Sequence, residues 1–347
     1  MRRFILHTLL ASAGLVMACG AGAQEKTYKI ALSNGWVGSE WRTQMIEEAR
    51  AAAAAWKQRG VNIELVVQSK TMDAQSQISD VRNFINQGVN AIVINPNGPT
   101  AFNPTFKQAK AAGITVVATD GEVTSPDAVF VGIDQKEWAS LSADWLAKSL
   151  GGKGNVVTIN GIAGHPANQA RVAGVKEVFA KYPGIKVLNE ANADWDQAKA
   201  QQVTQTLIAT YPALNGIWVQ DGQAEGTWRA LEAANKSDTM VATGELRASF
   251  VRQWASKKWN AAASINPPGC MSSALNVAVL LLQGNKLKTG ALKGPNKNAL
   301  YVPTKLVTSQ NVAEAAKALE GKPDHAFVSL VLGPDEIKER FFQATTQ

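Results

Sequence analysis

The chain has 347 residues, 46% hydrophobic and 18% charged, with 13 prolines, a balance that excludes a disordered or collagen-like chain. That length exceeds what one core usually fills, so two lobes are expected. Thirty-five Lys and Arg against 28 Asp and Glu give a net charge of +7. Because no run of five like charges occurs, the surface is mildly basic without a nucleic-acid stripe. Two cysteines exclude a disulfide framework.

Met1-Arg2-Arg3, an apolar stretch over 4–17 and Ala21-Gly22-Ala23 before polar Gln24 read as an export signal occupying residues 1–23. The expected product is a soluble periplasmic protein cleaved near Ala23. The rival processing, a lipid anchor on Cys19, fits less well because Met17 stands before Ala18. No later apolar stretch reaches the ~20 residues of a membrane span.

Beyond the signal, short apolar runs enriched in β-formers predict strands over 28–32, 62–67, 91–94, 116–118, 129–131, 155–159, 185–188, 217–219, 240–243 and 261–265. Helical periodicity fills 41–59, 73–87, 102–112, 135–150, 170–181, 196–209 and 224–234. On the first of these, Met45, Ala49, Ala52, Ala53 and Trp56 share one face. Strand–helix alternation of this kind builds parallel sheets covered on both faces, and about ten strands suit two sheets better than one. The predicted fold is therefore α/β, with two doubly wound parallel-sheet lobes.

In such sheets ligands bind beyond the carboxyl ends of the strands. The loops there hold Gly35, Trp36, Ser39, Trp41 and Arg42, then Asp120, then the helix bearing Arg171, then Trp195, Asp221, Gly244-Glu245 and Asn266. Carboxylates, amides and guanidinium groups bond vicinal hydroxyls, and indole faces cover the C–H face of a sugar ring, so this inventory suits a neutral polyhydroxyl ligand. Trp138 and Trp145, seven apart, read as core, as do Trp218 and Trp228, while Trp56, Trp254 and Trp259 read as packing or surface residues. His165 and His325 stand apart from any second ligand at metal spacing, so neither a metal nor a cofactor is expected. Cys270 opens an apolar helix and reads as core.

Several ordered segments carry a family resemblance: Tyr28-Lys29-Ile30-Ala31-Leu32, Gln87-Gly88-Val89-Asn90-Ala91-Ile92-Val93-Ile94-Asn95-Pro96, Gly113-Ile114-Thr115-Val116-Val117-Ala118-Thr119-Asp120, Asn160-Gly161-Ile162-Ala163-Gly164 and Lys236-Ser237-Asp238. Over residues 26–307 the chain resembles a type I periplasmic solute-binding protein of the ribose-binding group, the receptor component of bacterial sugar ABC transporters. The resemblance implies a three-crossing hinge near 132–135, 266–268 and 301–304. The N-terminal lobe then takes 27–133 plus 267–300 and the C-terminal lobe 134–266 plus 301–347. It implies ligand contacts at Gly35, Ser39, Trp41, Arg42, Asp120, Arg171, Trp195, Asp221, Gly244 with Glu245, and Asn266. Trp41 and Trp195 would be the stacking aromatics, one from each lobe.

Implied partners are a monosaccharide or polyol and a membrane permease, with a chemotaxis receptor as a further candidate; the chain itself would be a monomer. Arg42, Gly121 and Gly244-Glu245 depart from the ribose pattern, and Gly38-Ser39-Glu40-Trp41-Arg42 is similar to galactofuranose- and polyol-binding relatives. A glycosidase using Asp120 and Asp221 is the rival class. It is disfavoured because Arg171 beside these acids lowers their pKa values and weakens a general acid.

Overall fold

The computed structural model describes residues 26–36, 38–69 and 73–344. The expected signal, with Cys19 and Ala23, lies outside these residues. In the first lobe the order is β1 (Lys26–Asn34), α1 (Glu40–Lys57), β2 (Val61–Ser69), α2 (Ala74–Asn86), β3 (Ala91–Asn95), α3 (Asn103–Ala111), β4 (Thr115–Ala118) and β5 (Val129–Gly132). The second lobe follows with α4 (Gln135–Ser149), β6 (Lys153–Asn160), α5 (Pro166–Phe179), β7 (Gly184–Asn192), α6 (Gln197–Thr210), β8 (Gly216–Val219), α7 (Ala224–Ala233), β9 (Val241–Thr243), α8 (Ala248–Lys257) and β10 (Ala261–Ser264). The chain ends with α9 (Cys270–Leu282), β11 (Ala299–Tyr301), β12 (Leu306–Thr308), α10 (Val312–Ala318) and α11 (Pro334–Phe341).

Every residue of β3 is buried. A parallel strand covered by helices on both faces must be apolar on both sides, which is why these strands read as runs and not as alternations. Two six-stranded sheets result, ordered β11-β5-β4-β3-β1-β2 and β12-β10-β9-β8-β6-β7. All pairs are parallel except β12, which runs antiparallel to β10.

The chain passes between the sheets after β5, after β10 and between β11 and β12. Helix α9 is apolar nearly all round because it is wedged between α1 and the strands β3, β4 and β5.

The tail departs from the expectation that residues 301–347 belong to the C-terminal lobe. Helix α10 does pack on α8, but α11 packs on α9 of the first lobe. Leu332, Ile337 and Phe342 are buried in the core cluster that includes α1 and α9, and Asp335 pairs with Arg59 of the first lobe. The amphipathic pattern of α11 shows that it needs an apolar partner without showing which lobe offers one. The free face lies beside α9, so the chain crosses a fourth time, near Phe327–Ser329.

Candidate functional site

The carboxyl ends of both sheets face a common cleft. On the first lobe, β1 and β3 end side by side at Asn34 and Asn95. Ser39 caps α1, its Oγ accepting from the Arg42 N–H at 3.3 Å, and this sets Trp41 and Arg42 in the first turn. The Arg42 guanidinium, 3% exposed, donates to Asn34 Oδ1 at 2.9 Å and stands 3.7 Å from Asp120 Oδ2. Asp120 follows β4 at a left-handed φ of 62°. Its carboxylate accepts from Asn95 Nδ2 at 3.0 Å and from Gln135 Nε2 at 3.2 Å. Burial pushes the Asp120 pKa up, an effect opposed by Arg42 and Arg171.

On the second lobe, α5 begins at Pro166 behind His165, whose Nδ1 accepts from the Ala167 N–H, and projects Arg171 inward. Arg171, 2% exposed, donates to Asp221 Oδ1 at 2.7 Å, Gln135 Oε1 at 2.8 Å and Gln220 Oε1 at 3.3 Å. Its planar group lies 3.9 Å from the Trp138 ring centre, a cation–π support.

Asp194 and Trp195 both adopt left-handed backbone, at φ 56° and 58°. For a tryptophan this costs about 1–2 kcal/mol. Compensation comes from Gln223, which accepts the Trp195 N–H at 2.7 Å, and from Gln220 Oε1, which accepts the indole N–H at 2.9 Å. The ring lies against Gly161, where an added Cβ would sit 2.1 Å from it. Only glycine leaves that space.

Among the described residues, several contacts join the lobes around the cleft. Trp41 Nε1 donates to the Asn266 carbonyl at 2.9 Å. Gln135 links Asp120 of one lobe to Arg171 of the other. Glu40 pairs with Arg247, and Arg42 approaches His165 Nε2 at 3.4 Å. Burial first, then the charges of Arg42 and Arg171, hold the His165 pKa well below the usual range, leaving the imidazole neutral.

Between the lobes lies a cleft of about 460 Å³, counted together with the solvent space at its opening. Trp36, Ser39, Trp41, Arg42, Asp120, Arg171, Trp195, Asp221 and Asn266, all anticipated from the sequence, line it. Gly35 and Glu245 do not. Gly35 is locked against Asn97, which donates to its carbonyl at 2.8 Å. Glu245 is fully buried behind the wall, accepting from Gln197 at 2.9 Å and Arg247 at 3.2 Å, with Oε2 lacking a hydrogen-bond partner among the described residues. Burial, reinforced by Glu225, pushes its pKa to about 8.

Arg247 and Phe327 line the cavity without having been anticipated. The first falls three residues beyond the expected Gly244, and the second comes from the returning tail. Around the cleft Arg42 faces Asp120, Arg171 pairs with Asp221, and Arg247 pairs with Glu40 and stands 3.9 Å from Glu225. Acids and guanidiniums already pair with one another, so the cleft offers directed hydrogen bonds and indole faces, with little unbalanced charge for an ionic ligand. Among the described residues, no group of three His, Cys, Asp or Glu is placed to hold a metal, and no helix is long and apolar enough to cross a membrane.

The sequence profile described as "Periplasmic binding protein domain" matches residues 30–286. A xylitol-binding protein of Mycolicibacterium smegmatis is 30% identical over 290 residues, covering 81% of each chain. A D-apiose import binding protein of Paraburkholderia graminis is 26% identical over 275 residues, 77% of this chain and 84% of the relative. Among solved structures, an ABC transporter solute binding protein from Mycobacterium smegmatis with bound glycerol superposes with a TM-score of 0.74 at 28% identity, covering 88% of this chain and all of the other. One from Thermobispora bispora reaches 0.77 at 25% identity, covering 90% and 94%. These relatives are named as binding proteins, not enzymes.

Proposed function

This chain belongs to the periplasmic binding protein domain family, and from that premise we propose that it captures a neutral monosaccharide or sugar alcohol in the interlobe cleft and delivers it to an ABC permease. The observation that carries the reading is the make-up of the cleft. Paired buried acids and guanidiniums from both lobes, with indoles at Trp41 and Trp195, converge on the interlobe cleft.

Hydroxyls bridging Asp120 on one side and Arg171 and Asp221 on the other are bonded on both flanks only when the lobes are together. Ligand binding thus favours closure, and the closed form is the one a permease would distinguish. The moving bodies in this reading are residues 27–133 with 267–300 and the returning tail, and residues 134–266 with the segment from 301 to about 326. The site residues are the nine anticipated lining residues together with Arg247. The chain works as an exported monomer, its leader removed near Ala23.

A thermal-shift screen over pentoses, hexoses, furanoses, polyols, amino acids and organic anions tests the reading, because a compound that binds only the folded state raises the unfolding midpoint. A stabilising hit among neutral polyhydroxyl compounds is expected. Stabilisation by amino acids or anions alone would contradict it.

A further inference from the structure

Residues 324–332 run along both lobes in turn. Against the second lobe they form a short ladder: Ala248 N–H donates to the Ala326 carbonyl at 2.7 Å, Ser249 N–H to Asp324 at 3.0 Å and Val328 N–H to Leu246 at 2.9 Å. Against the first lobe, the Gln44 side chain holds both backbone groups of Phe327, accepting from its N–H at 2.8 Å and donating to its carbonyl at 3.1 Å. Farther on, Ser329 Oγ donates to Glu48 at 2.6 Å, and Leu332 N–H donates to Ser273 Oγ at 3.0 Å. Phe327 is therefore held by the first lobe directly and by the second through its neighbours Ala326 and Val328. Its ring is 4% exposed, lines the cavity and lies beneath the Arg247 guanidinium, 4.8 Å away. Arg247 in turn reaches Glu40 at the start of α1 across the same edge.

We infer that this segment is a strap closing one side of the cleft, and that Phe327 is a specificity-determining residue of the binding site. The inference rests on the sugar-binding reading of the cleft. With its backbone held by Gln44 of the first lobe, its neighbours Ala326 and Val328 bonded to the second, and its buried ring under Arg247, the side chain forms a wall of the cleft. It offers an apolar surface to the C–H groups of a polyhydroxyl ligand, as aromatic faces do. In this reading it also crowds that edge against a substituent such as a glycosidic O-methyl group. The strap thereby limits the cleft to unsubstituted monosaccharides and polyols of similar size.

The test is calorimetric titration of the wild type, Phe327→Ala, Phe327→Leu and Gln44→Ala with xylitol, D-ribose, D-galactose and myo-inositol, followed by the O-methyl derivative of the tightest binder. Phe327→Ala is expected to weaken the unsubstituted compound roughly tenfold and Phe327→Leu less than about threefold. In Phe327→Ala the methylated compound should recover at least about threefold relative to its parent, since the wall is gone. Gln44→Ala, which leaves the cavity lining intact but frees the strap from the first lobe, should weaken binding severalfold. Should Phe327→Ala fail to fold by circular dichroism, the Phe327→Leu and Gln44→Ala affinities decide. Wild-type affinity and an unchanged preference against the methylated compound in the folded variants would overturn the strap assignment alone. A wild type that binds no member of the panel would overturn the sugar-binding reading, and the strap's role in specificity with it.

Discussion

Replacing Arg171 with methionine preserves much of its stem but removes the guanidinium that holds the second lobe's half of the site together. That group gives three hydrogen bonds, at 2.7 Å to Asp221, 2.8 Å to Gln135 and 3.3 Å to Gln220, and lies over Trp138. In the variant the Asp221 carboxylate stays 7% exposed without its counter-ion. Removing one partner of a buried pair typically costs about 3–5 kcal/mol, much of it the penalty of the charge left behind. Urea denaturation of the ligand-free protein should therefore show Arg171→Met less stable by about that amount, with the slope unchanged. Adding Asp221→Asn removes the stranded charge, so the double variant should recover about 2 kcal/mol or more relative to the sum of the two single effects. Strict additivity, or a single-variant cost below about 1 kcal/mol, would refute the claim that this pair is a desolvated, mutually dependent unit.

Two further outcomes follow from the same geometry. Glu245 has its pKa raised to about 8 from the ordinary 4.5, so the folded state keeps a proton that the unfolded chain releases. The Glu245 contribution to stability should then fall as pH rises from about 4.5 to about 8, so Glu245→Gln, measured by urea midpoint at pH 5, 7 and 9, should gain a few kcal/mol on the wild type between pH 5 and pH 9; parallel curves would refute the assignment. Gly161→Ala places a methyl 2.1 Å from the Trp195 ring, so it should displace the indole and weaken sugar binding by roughly tenfold or more by calorimetry; unchanged affinity would remove Trp195 from the site.

The central strands such as β3 and β8 are legible because a parallel strand covered on both faces is apolar throughout, whereas the part-exposed edge strands β2 and β7 show through their β-branched residues. Strands β11 and β12, three residues each, lie outside the strand–helix alternation that marks the equally short β9, so the sequence pattern does not show them. Helix α8 also went unread, although Phe250, Val251 and Trp254 recur on its buried face.

Within the site, residues immediately after strand ends could be found because the fold sends those ends to the cleft. Glu245 satisfies that rule yet turns inward, since the local backbone and Gln197 decide its direction, not its distance from β9. Trp138 reads as core from its spacing with Trp145 and is indeed buried, but its ring also carries Arg171, a second duty that helical periodicity cannot express. Phe327 had no local signal. Its place depends on where α11 docks, which is settled by the free face beside α9 some distance along the chain.

One ligand held by both lobes at once should depend on the acids of each, and calorimetric titration of Asp120→Ala and Asp221→Ala with the sugar or polyol that most stabilises the wild type decides whether it does. Asp120 follows β4 of the first sheet and Asp221 follows β8 of the second. Hydrogen bonds to charged groups contribute about 1.5–3 kcal/mol each, so each substitution should weaken binding by roughly ten- to a hundredfold or more. Loss in both variants is the predicted result. Near wild-type affinity in either one would mean that the ligand rests on a single lobe, and would contradict the account.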